Sequence, residues 1–312
     1  MNRILLTGWF SFLHGEVTAG DELALRRVES LLDREGLPYD TVWSPAYRPR
    51  ELHLEAVSPG RYGTLVFICG PLHGPDIERL HDRFAHCLRI AVGTSVVEPG
   101  APAVTGFHHV LARSGGLGPP VVDLAASAAT TGRPPVAGVI LTQGQREYGL
   151  RRRHGAITDA LQGWLSERDI ARIPLDTRLA NRDPQHFDTP EQLMAALSRL
   201  DAVITNRLHG LLLALRAGTP VLAVDPVRGG AKVTAQARAC QWPAVVPAEE
   251  AGPAAFDHWW TWCLDQGRAQ AAERRRRFLD EPDNRLTDPL LTLLKQVSDG
   301  HRGAQARHTP PR

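Results

Sequence analysis

Arg207 and His209, an arginine and a histidine two residues apart, carry the clearest chemical signal in this chain of 312 residues. An arginine fork suits the paired oxygens of a phosphate or carboxylate, and an imidazole exchanges protons near neutral pH. Both residues lie in the segment N-R-L-H-G at 206–210, between a strand-like run at 202–204 and an apolar, helix-like run at 208–217. The pattern predicts an anion site at a strand-to-helix turn, where backbone N–H groups favour negative charge.

A second candidate anion site follows the next strand-like run, residues 221–224. Gly229 and Gly230 precede a helix predicted to begin near residue 231, and Arg228 and Lys232 flank its start. Taken alone, an ordinary strand–loop–helix connection with solvated charges explains this segment equally well. Its position beside the turn at 206–210 favours a role in the same anion site.

Two acidic residues, Asp21 and Glu22, begin the first predicted helix after a long loop at residues 8–20. Such acids commonly complement the helix dipole, an effect of about 0.3–1 kcal/mol. The loop also contains glycines and aromatic residues, and long glycine-containing loops at this edge of a sheet are usually functional. Helix capping and a catalytic carboxylate therefore both remain open.

The elements that position these residues alternate between strand and helix from one end of the chain to the other, which predicts parallel sheets. We expect an α/β protein with two Rossmann-like domains facing a cleft, divided near Arg133 in a segment rich in glycine and proline. Residues 1–133 would hold the acceptor, and residues 134–298 would hold the donor phosphate and end in helices. A helix is predicted over 147–167, and residues 299–312 are expected to be a disordered tail.

Composition excludes several classes of function. A net charge of +2 gives no basis for a nucleic-acid partner, and no run approaches the ~20 apolar residues of a membrane span. The first residues do not form a signal peptide, and four scattered cysteines suggest reduced thiols in a cytoplasmic protein. The sequence contains no G-x-x-x-x-G-K-[ST] loop, no G-x-G-x-x-G after the first strand and no D-x-D pair.

Three motifs in this order resemble the polysaccharide pyruvyl transferase family: G-D-E at 20–22, N-R-L-H-G at 206–210, and P-V-L-A-V-D-P at 220–226 followed by K-V at 232–233. The similarity extends over about residues 4–243, and R-L-H is its most specific part. Two departures concern C-G-P-L-H at 69–73, where the family often has a glycine-rich stretch, and the five residues that separate D-P from K-V. The resemblance implies a GT-B-like fold and transfer of a pyruvyl group from phosphoenolpyruvate to sugar hydroxyls, which forms a ketal and releases phosphate.

That reaction assigns roles to the candidate residues. The expected catalytic residues are His209, Arg207, Asp21 and Glu22. The expected donor-binding residues are Arg207, Leu208, His209, Gly210, Arg228, Gly229, Gly230 and Lys232. His209 would protonate the C3 methylene or a bridging oxygen of the donor, and Asp21 or Glu22 would take the hydroxyl proton. The expected partners are a small-molecule donor and a carbohydrate acceptor, with no cofactor and no metal ion.

Two alternatives remain. A GT-B glycosyltransferase with a nucleotide-sugar donor would place the diphosphate at the helix start after Gly229 and Gly230. A non-catalytic anion-binding relative would bind a donor without turnover. Release of phosphate from phosphoenolpyruvate, or of a nucleotide from a nucleotide sugar, distinguishes these functions.

Overall fold

The computed structural model describes residues 3–115, 118–144, 146–281 and 283–306. The chain divides between Arg133 and Pro134 into two units, here called unit 1 and unit 2. Each unit contains one five-stranded parallel sheet with helices in the connections. The prediction of an α/β protein with two Rossmann-like domains is confirmed.

Unit 1 has the strand order β2-β1-β3-β4-β5. The strands are β1 Arg3–Gly8, β2 Tyr39–Thr41, β3 Tyr62–Ile68, β4 Leu88–Ser95 and β5 His109–Ser114. The helices are α1 Ala19–Arg34, α2 Pro75–Arg83 and α3 Pro102–Thr105. Successive residues of β1 point to opposite faces of the sheet, so Leu5 joins the cluster that contains Ile77 of α2, and Leu6 joins the cluster that contains Leu25 of α1.

Unit 2 has the strand order β10-β9-β8-β6-β7. The strands are β6 Val136–Ile140, β7 Ala171–Pro174, β8 Ala202–Thr205, β9 Val221–Val224 and β10 Val245–Val246. The helices are α4 His154–Ser166, α5 Pro190–Leu197, α6 Leu208–Ala217, α7 Lys232–Ala239, α8 Pro253–Trp262, α9 Arg268–Asp280 and α10 Thr287–Ala306. Strands β8 and β9 are buried along their whole length, as expected for central strands covered on both faces.

Both sheets use one connectivity. The chain passes from the first strand to a neighbour on one side and then crosses to the other side of the first strand. The crevice therefore lies between β1 and β3 in unit 1, and between β6 and β8 in unit 2. In open parallel sheets, ligands bind outside the carboxyl ends of the strands at such switch points.

The elements around the turn at 206–210 have the predicted bounds. Helix α6 covers Leu208–Ala217 and strand β9 covers Val221–Val224, as the apolar pattern indicates. Gly218 ends α6 with a φ of 81°, in the left-handed region that glycine adopts without strain. Helix α5 begins directly after Thr189, whose side chain accepts a hydrogen bond from the backbone N–H of Gln192.

The helix predicted over 147–167 begins later, at His154. The preceding residues follow a turn in which Gly149 has a φ of 51°. This segment docks on the loop after β9, since the N–H of Arg153 donates to the Pro226 carbonyl and the N–H of Arg228 donates to the Arg151 carbonyl. Tertiary hydrogen bonds therefore override the helical pattern before residue 154.

The C-terminal helix α10 continues to Ala306, beyond the end expected from its apolar periodicity. It therefore includes part of the segment 299–312 that was expected to be disordered, and residues 307–312 lie outside the described residues. Among the described helices, none combines the length and the apolar character that a membrane crossing requires.

Candidate functional site

The candidate site lies at the carboxyl ends of β6 and β8, where the chain crosses the first strand of unit 2. Asn206, directly after β8, is buried and links the two strand ends. Its amide nitrogen donates to the Thr142 carbonyl at 3.0 Å, and its amide oxygen accepts from the Thr142 N–H at 2.7 Å. This paired hydrogen bond fixes the separation of the two loops that border the crevice.

Arg207 is the last residue before α6, and Thr205 holds its backbone in place. The Thr205 hydroxyl accepts from the Arg207 N–H at 3.0 Å and donates to the Ile140 carbonyl at 2.7 Å. A Cβ atom on Gly210 would lie 2.2 Å from the Thr205 Oγ1 atom, so only glycine fits one turn further along the helix. The turn is therefore built around Thr205, and Gly210 permits its close approach.

The Arg207 side chain forms an ion pair with Asp176, which follows β7. The distance from Arg207 Nη1 to Asp176 Oδ1 is 2.6 Å, and both side chains are about a quarter exposed or less. Burial disfavours ionisation of Asp176, but hydrogen bonds from Arg178 and the charge of Arg207 outweigh it and lower the pKa of the carboxyl group. No other hydrogen bond of the Arg207 guanidinium is present among the described residues, so its remaining N–H groups can bind a ligand.

The start of α6 offers unused backbone donors. In the part of the chain that the structure describes, the N–H groups of Leu208, His209 and Gly210 have no backbone or side-chain acceptor. The His209 side chain is exposed beside them. Because a helix start attracts negative charge, this arrangement of Arg207 and these N–H groups favours a small anion.

The start of α7 differs, because a carboxylate of the protein already occupies it. Asp225 is fully buried at the end of β9. Its Oδ2 atom accepts from the N–H groups of Ala231 and Thr234, each at 2.8 Å, and its Oδ1 atom accepts from the Val227 N–H at 3.1 Å. Asp225 thus supplies the negative charge that an exogenous phosphate would supply at this helix start.

The glycines before α7 are also engaged. The N–H of Gly229 donates to the Glu249 carboxylate at 2.8 Å, and the N–H of Gly230 donates to the Val227 carbonyl at 2.9 Å. Their N–H groups therefore already have acceptors within the protein, and the donor-binding role expected for Gly229 and Gly230 stays a prediction. Of the donor-binding residues expected around the start of α7, Arg228 and Lys232 have cationic side chains that could reach an anion.

The segment before α4 also forms hydrogen bonds with the loop after β9. The Arg151 guanidinium donates to the carbonyls of Arg228 at 3.1 Å and Gly230 at 2.9 Å. The Arg151 side chain therefore helps to organise the loop. Burial, together with the positive charges of Arg152 and Lys232, lowers the pKa of His154 at the start of α4.

In unit 1, Asp21 serves the start of α1. Its Oδ2 atom accepts from the Thr18 N–H at 3.1 Å and from the Thr18 hydroxyl at 2.7 Å, and its own N–H donates to the Thr18 hydroxyl. This reciprocal pair is a capping box. The capping role considered for Asp21 from the sequence is present.

Glu22 lies in a network of hydrogen-bond donors. It accepts from the Tyr47 hydroxyl and from Arg48 Nη2, each at 2.9 Å, and it forms an ion pair with Arg26. Burial alone would raise the pKa of Glu22, but the hydrogen bonds from Tyr47 and Arg26 and the charge of Arg48 lower it. A carboxylate held ionised in this way is a weak proton acceptor.

Three residues that sequence reasoning did not single out lie on the loop between β7 and α5. Asp176 binds Arg207 directly, and the Asp183 carboxylate lies 2.7 Å from His186 Nδ1. The aspartate and histidine of D-P-Q-H at 183–186 are close in sequence, and this spacing could have indicated a side-chain pair. No periodic pattern indicated that the loop carrying them contacts the residue before α6.

Comparisons with known proteins give one match to a family model. The model of the polysaccharide pyruvyl transferase family matches residues 154–226, about a quarter of the chain. This segment begins at the first residue of α4 and includes Asp176, His186, Arg207 and His209. No curated protein matches the chain in sequence.

Three solved structures with similarity to the chain are a glycotransferase, a glycosyltransferase and MurG. The glycotransferase of kitacinnamycin is 11% identical with a TM-score of 0.35, over 93% of this chain and 98% of that one. The glycosyltransferase SnogD from Streptomyces nogalater is 14% identical with a TM-score of 0.31, over 94% and 100%. MurG from Acinetobacter baumannii is 12% identical with a TM-score of 0.33, over 95% and 100%.

Proposed function

We propose that this chain is a pyruvyl transferase that moves the pyruvyl group of phosphoenolpyruvate onto hydroxyls of a carbohydrate. The observation that carries the proposal is the turn at 206–210. There, Arg207 and the unused N–H groups at the start of α6 meet within the segment that is similar to polysaccharide pyruvyl transferases.

The charge of the donor supports this assignment. Phosphoenolpyruvate carries a phosphate and a carboxylate, and a planar guanidinium can bind either group through two parallel hydrogen bonds. The α6 start offers a second receptor for the other group. Arg228 and Lys232 would add charge through their side chains, because the backbone at Gly229 and Gly230 is already bonded.

The proposed reaction balances without an oxidant or a cofactor. A proton is added to the C3 methylene, which leaves an oxocarbenium ion at C2 stabilised by its oxygen substituent. The first sugar hydroxyl attacks C2 and gives up its proton. The C2–O bond to phosphate then breaks, a second hydroxyl attacks, and its proton leaves with the phosphate. The products are the ketal and inorganic phosphate.

The acceptor-side carboxylates differ in their suitability as a base. Glu22 is bound by two arginines and a tyrosine, which makes it a poor proton acceptor. Asp21 uses Oδ2 in the capping box, and no hydrogen bond to its Oδ1 atom occurs among the described residues. Of the two, Asp21 is therefore the better candidate to take a hydroxyl proton.

A nucleotide-sugar donor fits this chain less well. That alternative places a diphosphate at the start of α7, where Asp225 already accepts from two N–H groups and Glu249 from a third. An additional anion at this position would lie beside two carboxylates, which repel it.

A donor screen tests the proposal. The purified chain is titrated calorimetrically with phosphoenolpyruvate and with nucleotide sugars, and phosphate or nucleotide release is then measured over a panel of saccharides. We expect binding of phosphoenolpyruvate that Arg207→Ala abolishes, and turnover that survives EDTA. Nucleotide release, or activity that EDTA removes and magnesium restores, would refute it.

The four cysteines are free thiols, and we propose a cytoplasmic location on that basis.

A further inference from the structure

The loop between β7 and α5 contains an aspartate–histidine pair beside Arg207. His186 Nδ1 lies 2.7 Å from Asp183 Oδ2, and the His186 side chain is only 18% exposed. A carboxylate on one ring nitrogen fixes the ring orientation and places the proton on that nitrogen, so Nε2 is left to exchange protons.

Both protonation states of His186 Nε2 have a partner. Arg178 Nη2 lies 3.3 Å from Nε2 and can donate to the neutral ring. Asp176 Oδ2 lies 3.9 Å from Nε2 and attracts the protonated ring. The charged groups around the imidazole are thus Asp183, Asp176 and Arg178, and the surroundings accommodate the ring before and after proton transfer.

Asp176 connects this pair to the anion site. Its Oδ1 atom binds Arg207 Nη1 at 2.6 Å, while its Oδ2 atom faces His186 and binds Arg178 Nε at 2.7 Å. One carboxylate therefore separates the guanidinium that would hold the donor from the imidazole nitrogen. The Arg207 guanidinium and His186 Nε2 are therefore neighbours of the same carboxylate.

The loop that carries the pair is held in shape by its own hydrogen bonds. The Ala180 N–H donates to the Phe187 carbonyl at 3.1 Å, and Phe187 packs against the core of unit 2. The His186 N–H donates to the Asp183 carbonyl at 3.0 Å, and the Gln185 N–H donates to Asp183 Oδ1 at 2.9 Å. His186 is therefore fixed in position, in contrast to the exposed ring of His209, which has no hydrogen-bond partner in the described part of the chain.

We propose that His186, oriented by Asp183, is the group that protonates C3 of the donor, and that His209 serves to bind the donor's anionic groups. The inference rests on the proposed function. The proton moves from His186 Nε2 to C3, where the C2=C3 electron pair forms the new C–H bond and C2 becomes the oxocarbenium ion. The first sugar hydroxyl then attacks C2 and gives its proton to the acceptor-side base of the proposed function, while His186 regains a proton from solvent.

The experiment follows deuterium at C3 of phosphoenolpyruvate, and of the pyruvyl product, by NMR in D2O. Glycerol and water serve as the acceptors, and donor affinity is measured in parallel by calorimetry. We expect His186→Gln to slow deuterium incorporation by about 100-fold or more. Its dissociation constant for phosphoenolpyruvate should change by less than about 3-fold. His209→Gln should instead weaken donor binding, and the exposed His258→Gln in the same unit should match the wild type.

Asp183→Asn separates proton transfer from a merely structural role of the loop. Asp183 orients the His186 ring, so its loss should slow deuterium incorporation by about 10-fold or more, while the dissociation constant for phosphoenolpyruvate changes by less than about 3-fold. Asp188→Asn, an exposed change on the same loop, is the matched control and should leave both quantities unchanged.

The outcomes distinguish the two proposals. A wild-type chain that neither binds phosphoenolpyruvate nor turns it over refutes the proposed function. Donor binding with no incorporation at C3, or incorporation by His186→Gln at the wild-type rate, refutes the role of His186 alone. Incorporation by Asp183→Asn at the wild-type rate refutes the positioning role of Asp183.

Discussion

Units 1 and 2 have the same strand order, yet their crevices contain different side chains. In unit 1, the Trp9 indole lies across the crevice, where its Nε1–H donates to the Pro71 carbonyl at 2.9 Å. A Cβ atom on Gly70 would lie 2.2 Å from the indole, so the ring packs directly on the backbone. In unit 2, the amide of Asn206 joins the two loops, and the guanidinium of Arg207 stands beside it.

The helices that follow these crevices differ in the same way. In unit 1, α2 begins only at Pro75, which has no N–H group to offer, and its first turn contains two acids. In unit 2, α6 begins directly after Arg207 and leaves three N–H groups without an acceptor among the described residues. The shared topology fixes where a crevice forms, while the side chains and the helix start decide whether it binds an anion.

The largest expected effect is on turnover and concerns Arg207, whose guanidinium stands at the crevice of unit 2 and has no counterpart among the described residues at the crevice of unit 1. Arg207→Ala should lower turnover of phosphoenolpyruvate by about 10²–10³-fold, because the developing charge loses a preorganised donor. Arg207→Lys should also lose most activity, since an ammonium cannot make the two parallel hydrogen bonds. Arg216→Ala, in the last turn of the same helix, is the matched control. Near-wild-type turnover of both Arg207 variants would remove the functional contrast between the crevices.

The next prediction compares the side chains that bridge the two crevices, Asn206 in unit 2 and Trp9 in unit 1. Asn206→Ala should lower the free energy of unfolding by about 2–3 kcal/mol, because both backbone groups of Thr142 lose their partner, and should also lower turnover. Trp9→Phe removes one hydrogen bond and should cost about 1 kcal/mol with turnover unchanged. Urea unfolding and steady-state assays measure both. A loss of turnover in Trp9→Phe without loss of stability would mean that unit 1 also uses its crevice for catalysis.

Gly210, beside the crevice of unit 2, gives a third test of the comparison. Gly210→Ala would place a methyl group against Thr205, and we expect a loss of about 1–3 kcal/mol in urea unfolding. Gly155→Ala, in α4 with open space at its Cβ position, should instead stabilise the chain by up to about 1 kcal/mol. Equal effects of the two substitutions would contradict the close contact with Thr205.

The smallest effect concerns Glu22, whose pKa is lowered in the folded chain. An acid of this kind stabilises the fold above its unfolded pKa, and the contribution disappears as the pH falls through the folded pKa. Glu22→Gln should therefore cost about 1 kcal/mol at pH 7 and less at pH 3. Denaturant unfolding at the two pH values measures this. A large loss of turnover at pH 7 with stability unchanged would instead restore Glu22 as a catalytic base.

The sequence predicts the elements around Arg207 well, because their signals are local. An apolar run with helical periodicity and the terminating Gly218 determine the bounds of α6, and a fully apolar run determines β9. The contact between Arg207 and Asp176 could not be predicted in this way. The two residues are 31 positions apart on loops that follow β8 and β7, and these strands are separated by β6 in the sheet.

The start of α7 illustrates a second limit. Its sequence has the glycines and cations of an anion site, and nothing local indicates that Asp225 is the anion. That role depends on a loop that bends back so that the Ala231 and Thr234 N–H groups reach the carboxylate. Motifs at helix starts therefore predict that negative charge is favoured there, but not whether the protein or a ligand supplies it.

The buried carboxylate of Asp225 gives three N–H groups in the loop after β9 and at the start of α7 an acceptor inside the protein. We expect these hydrogen bonds to persist whether or not a ligand is present. The first N–H groups of α6 have no such partner in the described residues. Amide hydrogen exchange should therefore slow at residues 208–210 when the donor binds and stay unchanged at residues 231–234.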